Sequence, residues 1–305
     1  MAGGWKVDVA LLADRVRRAV LEHTLDNDGG YMSQACSSAE LLATLYGRFM
    51  NIGMPDRPIE PRPWLGTPRH GNTEYRTGAD FNGGVHDARD RFILSPTHYS
   101  LVLYALLVET GRMSPQGMKE FNRDGSSVEM IGAEHSPGME VMTGSLGQGL
   151  AQAAGMALGR KLKGASGRVV VMMSDGEFQI GMTWESIQFM AHHHLDNMVV
   201  FVDVNGQQCD GAVDSVMRID PIDVRIRSFG ARAAVVDGHD PAAIMKAGSR
   251  APDGRPLFVL AMTDPCRGLD LMRKNAPKLH YLRFRTPQEK AGYKAVLDAW
   301  PKRGS

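Results

Sequence analysis

Two short runs combine residue types that can do phosphate and metal chemistry. Ser174-Asp175-Gly176-Glu177 ends the apolar run RVVVMM, and Asp203-Val204-Asn205-Gly206 ends the run MVVFV. An aspartate oxygen and an asparagine amide oxygen suit a hard cation such as Mg²⁺, which prefers oxygen ligands and retains affinity for diphosphate oxygens. Gly176 lets the backbone approach a phosphate closely, and the amides of the following turn can donate to it. Taken singly, Asp-Gly and Asn-Gly are ordinary turn dipeptides. Two of them, each closing an apolar run and separated by one helical stretch, point to a site.

The elements around them must bring these ends together. Arg168–Met173 and Met198–Val204 read as strands, with Thr183–His194 as a helix between them. Arg232–Val236 and Leu257–Met262 read as further strands, and RFILS at 91–95 as a short apolar run. Apolar strands alternating with helices imply an α/β fold, a parallel sheet with helices on both faces. Its crossovers are right-handed, and ligands sit at the carboxyl ends of the strands. Residues 7–27 form a helix with Val9, Leu12, Val16, Val20 and Leu21 on one stripe and Arg15, Arg17 and Arg18 on an outer face. In the next helix Ser37 or Ser38 is the expected cap. THYSLVLYALLVETG reads as a buried helix, and another helix, rich in small residues, follows GSLGQG. The tail forms a helix from Thr286, its cap, with Pro287 at the first helical position. Residues 53–90 differ in kind: rich in Pro, Gly, Arg and Asp, aperiodic and long for a loop, they suggest function or partner contact. The whole reads as one domain over 1–305, with 53–90 as an irregular insertion.

Composition narrows the class. The chain has 305 residues, 43% hydrophobic and 23% charged, which suits a globular protein with a large core. A formal charge of +1 argues against a nucleic-acid surface. The three cysteines, Cys36, Cys209 and Cys266, are widely spaced, which fits a reducing compartment rather than a disulfide framework or thiolate zinc site. The N-terminal run MAGGWKVDVALLADRVRRAV lacks the apolar core of a secretory signal, and no run is long enough to span a membrane. A cytoplasmic protein is the expectation.

The motifs then become specific. SDGEFQIGMTWESIQFMAHHHLDNMVVFVDVNGQQCDG resembles the thiamine-diphosphate motif of the transketolase family, which opens on GDG and ends about thirty residues later in asparagine. HSPGMEVMTGSLGQGLAQAAGMA resembles the family stretch whose glycines pack beside the cofactor. DRFILSPTHYSLVLYALL resembles the segment bearing an active-site histidine. The resemblance runs in family order from about residue 10 to about residue 285. It implies thiamine diphosphate and Mg²⁺ as cofactors and the N-terminal transketolase fold. By that resemblance Asp175, Asn205 and the carbonyl of Gln207 are the metal ligands, and Gly176 and Glu177 contact the diphosphate. Gly144, Leu146 and Gly147 form the loop near the thiazolium, and His98, His135 and His280 are the catalytic histidines.

Three departures stand out. Ser174 replaces the first motif glycine, and Val204 stands where a polar residue is common. Tyr31, in Gly29-Gly30-Tyr31-Met32-Ser33, follows the glycine turn where the family has a histidine. The first two leave the metal ligands intact; the third changes the substrate end.

Other residues have plain readings. His192, His193 and His194 are consecutive on a helix, so they point in different directions and suit a structural or surface role better than one metal. Met172, Met173, Met182, Met190 and Met198 fill core space, and Cys209 is expected to be buried. Glu185 reads either as a surface carboxylate paired with a local base or as a contact to a neighbouring subunit or a proton relay.

In this family the glutamate that activates the aminopyrimidine lies in a second domain, which does not fit in what remains after His280. The resemblance therefore implies a separate C-terminal subunit carrying that glutamate, in an α2β2 heterotetramer. The implied activity is transfer of a two-carbon ketol unit from a ketose or hydroxypyruvate-like donor to an aldehyde. The alternatives are a thiamine-dependent enzyme that decarboxylates a 2-oxo acid and transfers an acyl unit, or a non-catalytic scaffold subunit.

Overall fold

The computed structural model describes residues 8–300 apart from 68 and 74. The first seven residues of the N-terminal run, including residue 7 of the expected helix, lie outside the described residues. Helix α1 (Val9–Asp26) is capped by Asp8, whose side chain accepts from Leu11 N at 3.1 Å. The two-residue strand β1 (Gly29–Gly30) leads into α2 (Met32–Thr44). After the irregular segment come β2 (Arg91–Leu94), α3 (Ser100–Glu109) and α4 (Gln148–Leu162). Strand β3 (Val169–Ser174), α5 (Gly181–His192) and β4 (Met198–Val204) form the expected strand–helix–strand unit. A small hairpin, β5 (Gln207–Gln208) and β6 (Gly211–Ala212), is followed by the single turn α6 (Val213–Val216) and by α7 (Ile222–Ser228). Strand β7 (Arg232–Asp237), α8 (Pro241–Gly248), β8 (Leu257–Met262), β9 (Leu282–Arg283) and α9 (Pro287–Ala299) complete the chain.

The main sheet has the order β2-β3-β4-β8-β7 and every pairing in it is parallel. Strand side chains alternate between two cores, as a pleat with both faces covered requires. Val170, Met172, Val199 and Phe201 face one core with residues of α1, α2, α3 and α8; Val169, Val171, Val200 and Val202 face the other with residues of α4, α5 and α7. The α/β expectation is met. Among the described residues no helix is long and apolar enough to cross a membrane.

Register decides what the strand ends can do. Ser174 pairs with Asp203 across β3 and β4, so the two polar runs that follow emerge side by side. The tail helix is as expected: Thr286 caps it by accepting from Glu289 N at 3.1 Å, with Pro287 at its first position.

The structure corrects several local readings. Arg17 is not on an outer face. It is 2% exposed and bonds Glu40, which also lies 3.1 Å from His239 Nδ1, so α1 and α2 are joined through a buried ion pair. Ser37 and Ser38 do not cap α2, which begins five residues earlier at Met32. Ser38 bonds back to the Gln34 carbonyl at 2.6 Å, a common use of a mid-helix serine, and Ser37 reaches across to Asp203. Cys209 is exposed rather than buried, because it sits at the turn of the β5–β6 hairpin. Met182 is 40% exposed on the first turn of α5, unlike Met172, Met173, Met190 and Met198. Glu185 is exposed and has no ion-pair partner among the described residues. The helix expected to run to His194 ends at His192, with His193 as its C-cap and His194 at φ +51°; His192 and His194 are exposed and His193 is half-buried.

The 53–90 segment packs on the stretch from Arg112 to Gly138. Ile59 bridges Met113, Gly78 N donates to the Glu134 carbonyl at 2.6 Å, and Arg112 donates to the Gly53 and Phe81 carbonyls at 2.6 and 3.1 Å. These bonds satisfy backbone groups that an aperiodic segment cannot satisfy internally.

Candidate functional site

The carboxyl ends of β2, β3 and β4 converge on one corner. Asp175 opens the turn after β3 and is 2% exposed. Its Oδ1 accepts from Gly176 N at 2.8 Å and its Oδ2 from Gly206 N at 2.7 Å, which ties the Asp-Gly turn to the Asn-Gly turn. Burial, reinforced by the neighbouring Asp203, pushes the Asp175 carboxyl up to about 8 despite those two amides. Asn205 Oδ1 accepts from Gln207 N at 2.8 Å, while its Nδ2 donates to Tyr99 OH at 3.0 Å and Asp203 Oδ2 at 3.1 Å.

These residues fit a hard cation. A carboxyl forced upward by burial is relieved by a positive charge beside it, and Gln207, two residues after Asn205, has a buried Oε1 with no hydrogen-bond partner among the described residues. Beyond Gly176 the nearest obstacle to a side-chain carbon is Gln208 Cβ at 3.7 Å, so the backbone there is open to close approach. Among the described residues no three His, Cys, Asp or Glu side chains gather as a metal cluster. The expected set contains one acid only and depends on amide and carbonyl oxygens for the rest.

Glu177 is placed differently from its expected diphosphate contact. Its carboxylate is fully buried, with Oε1 bonded to Ser95 Oγ and to Gly147 N at 3.0 Å, and Oε2 to Ser174 N at 3.0 Å. Burial raises it, and those three donors oppose the rise. Both oxygens are therefore committed inside the protein, and the side chain clamps the Gly147 loop to the end of β3. Gly144 and Leu146 lie exposed on that loop, and Gly147 is buried at the start of α4 with φ +82°. A Cβ at Gly147 would lie 2.9 Å from Ile180 Cγ2. Gly147→Ala is expected to destabilise the chain by about 2 kcal/mol, since it adds a left-handed penalty to that overlap; urea unfolding checks this.

The histidines divide. His98 and His280 come together with ring centroids 4.8 Å apart, and Gln34 Nε2 lies 3.4 Å from His280 Nδ1. Burial and the adjacent His280 push His98 down to about 3, and burial lowers His280 as well, so both rings are neutral near pH 7. Tyr31 lies beside both, 6.3 Å from His98 and 5.6 Å from His280 between centroids. It occupies the position after the glycine turn where the sequence lacks the family's histidine, and with His280 and Cys209 it lines a cleft of about 1280 Å³. His135 is not part of this group. It stacks on Trp64 at 5.2 Å, and its Nε2 lies 3.4 Å from Glu129 Oε2, so the 53–90 segment holds it in a separate recess.

The network around Asp203 is not marked by any motif in the sequence. Asp203, 0% exposed, accepts from Ser37 Oγ and Tyr99 OH, each at 2.6 Å, and from Thr263 Oγ1. Tyr99 follows His98 in the chain, with ring centroids 4.8 Å apart, so this network, which reaches Asn205 through Tyr99 OH, lies against the histidine pair. One signal in the sequence marks it: Asp203 continues the Val199, Phe201 alternation of an apolar strand, which puts a carboxylate on a buried face.

The sequence profile described as "Transketolase, thiamine diphosphate binding domain" matches residues 79–264. A transketolase family protein of Sinorhizobium fredii is 32% identical over 300 residues, 97% of either chain. The 6-deoxy-6-sulfo-D-fructose transketolase subunit of a Clostridium species is 29% identical over 266 residues, 86% of this chain and 87% of its own. Transketolase-like protein 2 of Bos taurus is 32% identical over 261 residues, and there the chain spans only 37% of the relative's length. Among solved structures, Pichia stipitis transketolase with sedoheptulose 7-phosphate superposes with a TM-score of 0.68 at 22% identity, over 96% of this chain and 44% of that one. At that identity the likeness speaks for the fold alone. By the profile match and the 32% identity to a relative of equal length, this chain belongs to the transketolase family, with its thiamine-diphosphate-binding domain.

Proposed function

We propose that this chain is the diphosphate- and Mg²⁺-binding subunit of a thiamine-dependent, transketolase-like enzyme. It moves a two-carbon ketol unit from a ketose or hydroxypyruvate-like donor to an aldehyde, together with a separate C-terminal subunit. The observation that carries this reading is the buried Asp175 carboxyl bonded to the Gly206 amide, at the point where β3 and β4 end in register. Asp175, Asn205 and the Gln207 carbonyl hold the cation, and the Gly176 turn faces the diphosphate. Thiamine diphosphate, when bound, supplies the electron sink for cleaving the carbon–carbon bond. The protein's own part is orientation and proton handling. His98 and His280, as neutral imidazoles, hold or exchange a proton at the substrate's carbonyl or hydroxyl oxygen.

The split-enzyme reading is supported by a relative that is itself named as a subunit. This chain matches most of a Clostridium protein named as a subunit, and little over a third of the long transketolase-like proteins. On this reading the assembly is α2β2, with each active site formed between unlike chains. Tyr31 favours a second reading, a 2-oxo acid donor with acyl transfer, because a phenol replaces an ionisable imidazole beside His98 and His280.

The test is reconstitution with the partner subunit, assaying hydroxypyruvate and a ketose phosphate against pyruvate as donors. Ketol transfer that needs both chains is the expected result. Full turnover by this chain alone would refute the split enzyme, and turnover of pyruvate only would favour the second reading. Absence of any heat-stability shift with thiamine diphosphate and Mg²⁺ in the complex would point to a scaffold.

A further inference from the structure

We propose that Asp203 is a positioning residue that decides which atom of the Asn205 carboxamide faces the cation. The inference rests on the reading that Asp175 and Asn205 hold that cation. It starts from the polarity of the hydrogen bonds around a buried carboxylate. A carboxylate can only accept, so each neighbour of Asp203 must donate. Ser37 and Tyr99 each point their single hydroxyl proton at Asp203 Oδ2, both at 2.6 Å, and Thr263 donates to Oδ1. With its proton committed, the Tyr99 oxygen is left as an acceptor, and Asn205 Nδ2 meets it at 3.0 Å. The same Nδ2 lies 3.1 Å from Asp203 Oδ2.

Every group on that side of the amide is an acceptor toward it. On the other side the Gln207 amide donates to Asn205 Oδ1 at 2.8 Å. A flipped carboxamide would set oxygen against the carboxylate and N–H against N–H. The network thus presents oxygen, and not the amide nitrogen, on the side away from Asp203. A hard cation requires that orientation, because an N–H group cannot ligate it. Serine in the middle of a buried helix and an aspartate on an apolar strand face, both odd in isolation, acquire one explanation.

The variants Asp203→Asn, Asn205→Asp and the pair separate orientation from simple structure. Asparagine at 203 can donate as well as accept, so the hydroxyls can reverse and the Asn205 amide loses its fixed sense. A carboxylate at 205 has two equivalent oxygens and needs no orienting. Magnesium is titrated by calorimetry into the full chain, with its partner subunit, in the presence of thiamine diphosphate. Cofactor-free melting temperatures are read alongside.

Asp203→Asn is expected to weaken magnesium-dependent binding by about 10- to 100-fold, the usual scale for groups that orient metal ligands. Its cofactor-free melting temperature should not fall in parallel. The double variant should regain most of the loss. Tyr99→Phe removes the other oxygen that Asn205 Nδ2 meets, and gives a smaller loss in the same direction that Asn205→Asp also offsets. It serves as the test if Asp203→Asn does not fold. Unchanged affinity in Asp203→Asn, or no recovery in the double variant, overturns the inference while the cofactor reading stands. If the wild-type complex shows no magnesium-dependent uptake of thiamine diphosphate, the cofactor reading itself fails and takes the inference with it.

Discussion

Asp175→Ala is expected to weaken magnesium-dependent uptake of thiamine diphosphate by about 100-fold or more, because it removes the only formal negative charge in the proposed ligand set. Calorimetry on the assembled complex measures it, and an affinity within about threefold of wild type would show that the cation is held elsewhere. The variant also releases the Gly176 and Gly206 amides that Asp175 ties together. Asp175→Asn is the control that keeps shape and loses charge, and it should weaken binding almost as much.

A second signature of the same residue lies in the cofactor-free chain. The Asp175 carboxyl, ordinarily near 3.8, is pushed up to about 8. A folded-state value above the unfolded one means the folded chain binds the proton more firmly. Its contribution therefore declines as pH rises from about 4 toward about 8. Urea midpoints of the wild-type chain should fall across that window more than those of Asp175→Asn. Bound cation should reverse the trend, since it stabilises the ionised form. Parallel curves for the two proteins would mean that Asp175 is not the group being titrated.

His98→Ala, in the reconstituted enzyme, is expected to lower kcat/KM by about 100- to 10,000-fold, the range for loss of a proton-transferring side chain. Thiamine diphosphate affinity should stay nearly unchanged, because the proposed cation and diphosphate site is built from other residues. With His98 held near 3 by burial and by His280, it is neutral throughout the working range. The pH profile of kcat/KM should therefore show no step near 6.5 that His98→Asn abolishes. The lowered value also has a stability consequence. As pH falls below about 6.5 the unfolded chain gains a proton that the folded chain refuses, so stability is lost toward acid pH and regained above it. Equal loss of cofactor affinity and turnover in His98→Ala would assign the residue to architecture instead. His135, stacked on Trp64 away from the pair, should give a much smaller change in turnover when replaced by alanine.

The division between what the sequence and the tertiary structure decide follows the range of the forces. Periodicity is local, and so the apolar strands, the Asp-Gly and Asn-Gly turns that end two of them, and the Thr286-Pro287 helix start are all legible from the chain itself. Because parallel strands align their carboxyl ends, that local pattern already implies that Asp175 and Asn205 share a neighbourhood. Which side chains meet across the sheet is another matter. Arg17 looks like part of a basic helix face until Glu40 and His239 close over it. Ser37 looks like a cap until α2 is seen to begin earlier and to aim that hydroxyl at Asp203. Glu177 looks like a ligand contact until Ser95 and Gly147 take up its oxygens, and His135 keeps its motif position while the 53–90 segment draws it to Trp64. In each case the deciding partner lies more than twenty residues away in sequence. A buried charge or hydroxyl goes where long-range packing supplies a partner, and no window of neighbouring residues contains that information.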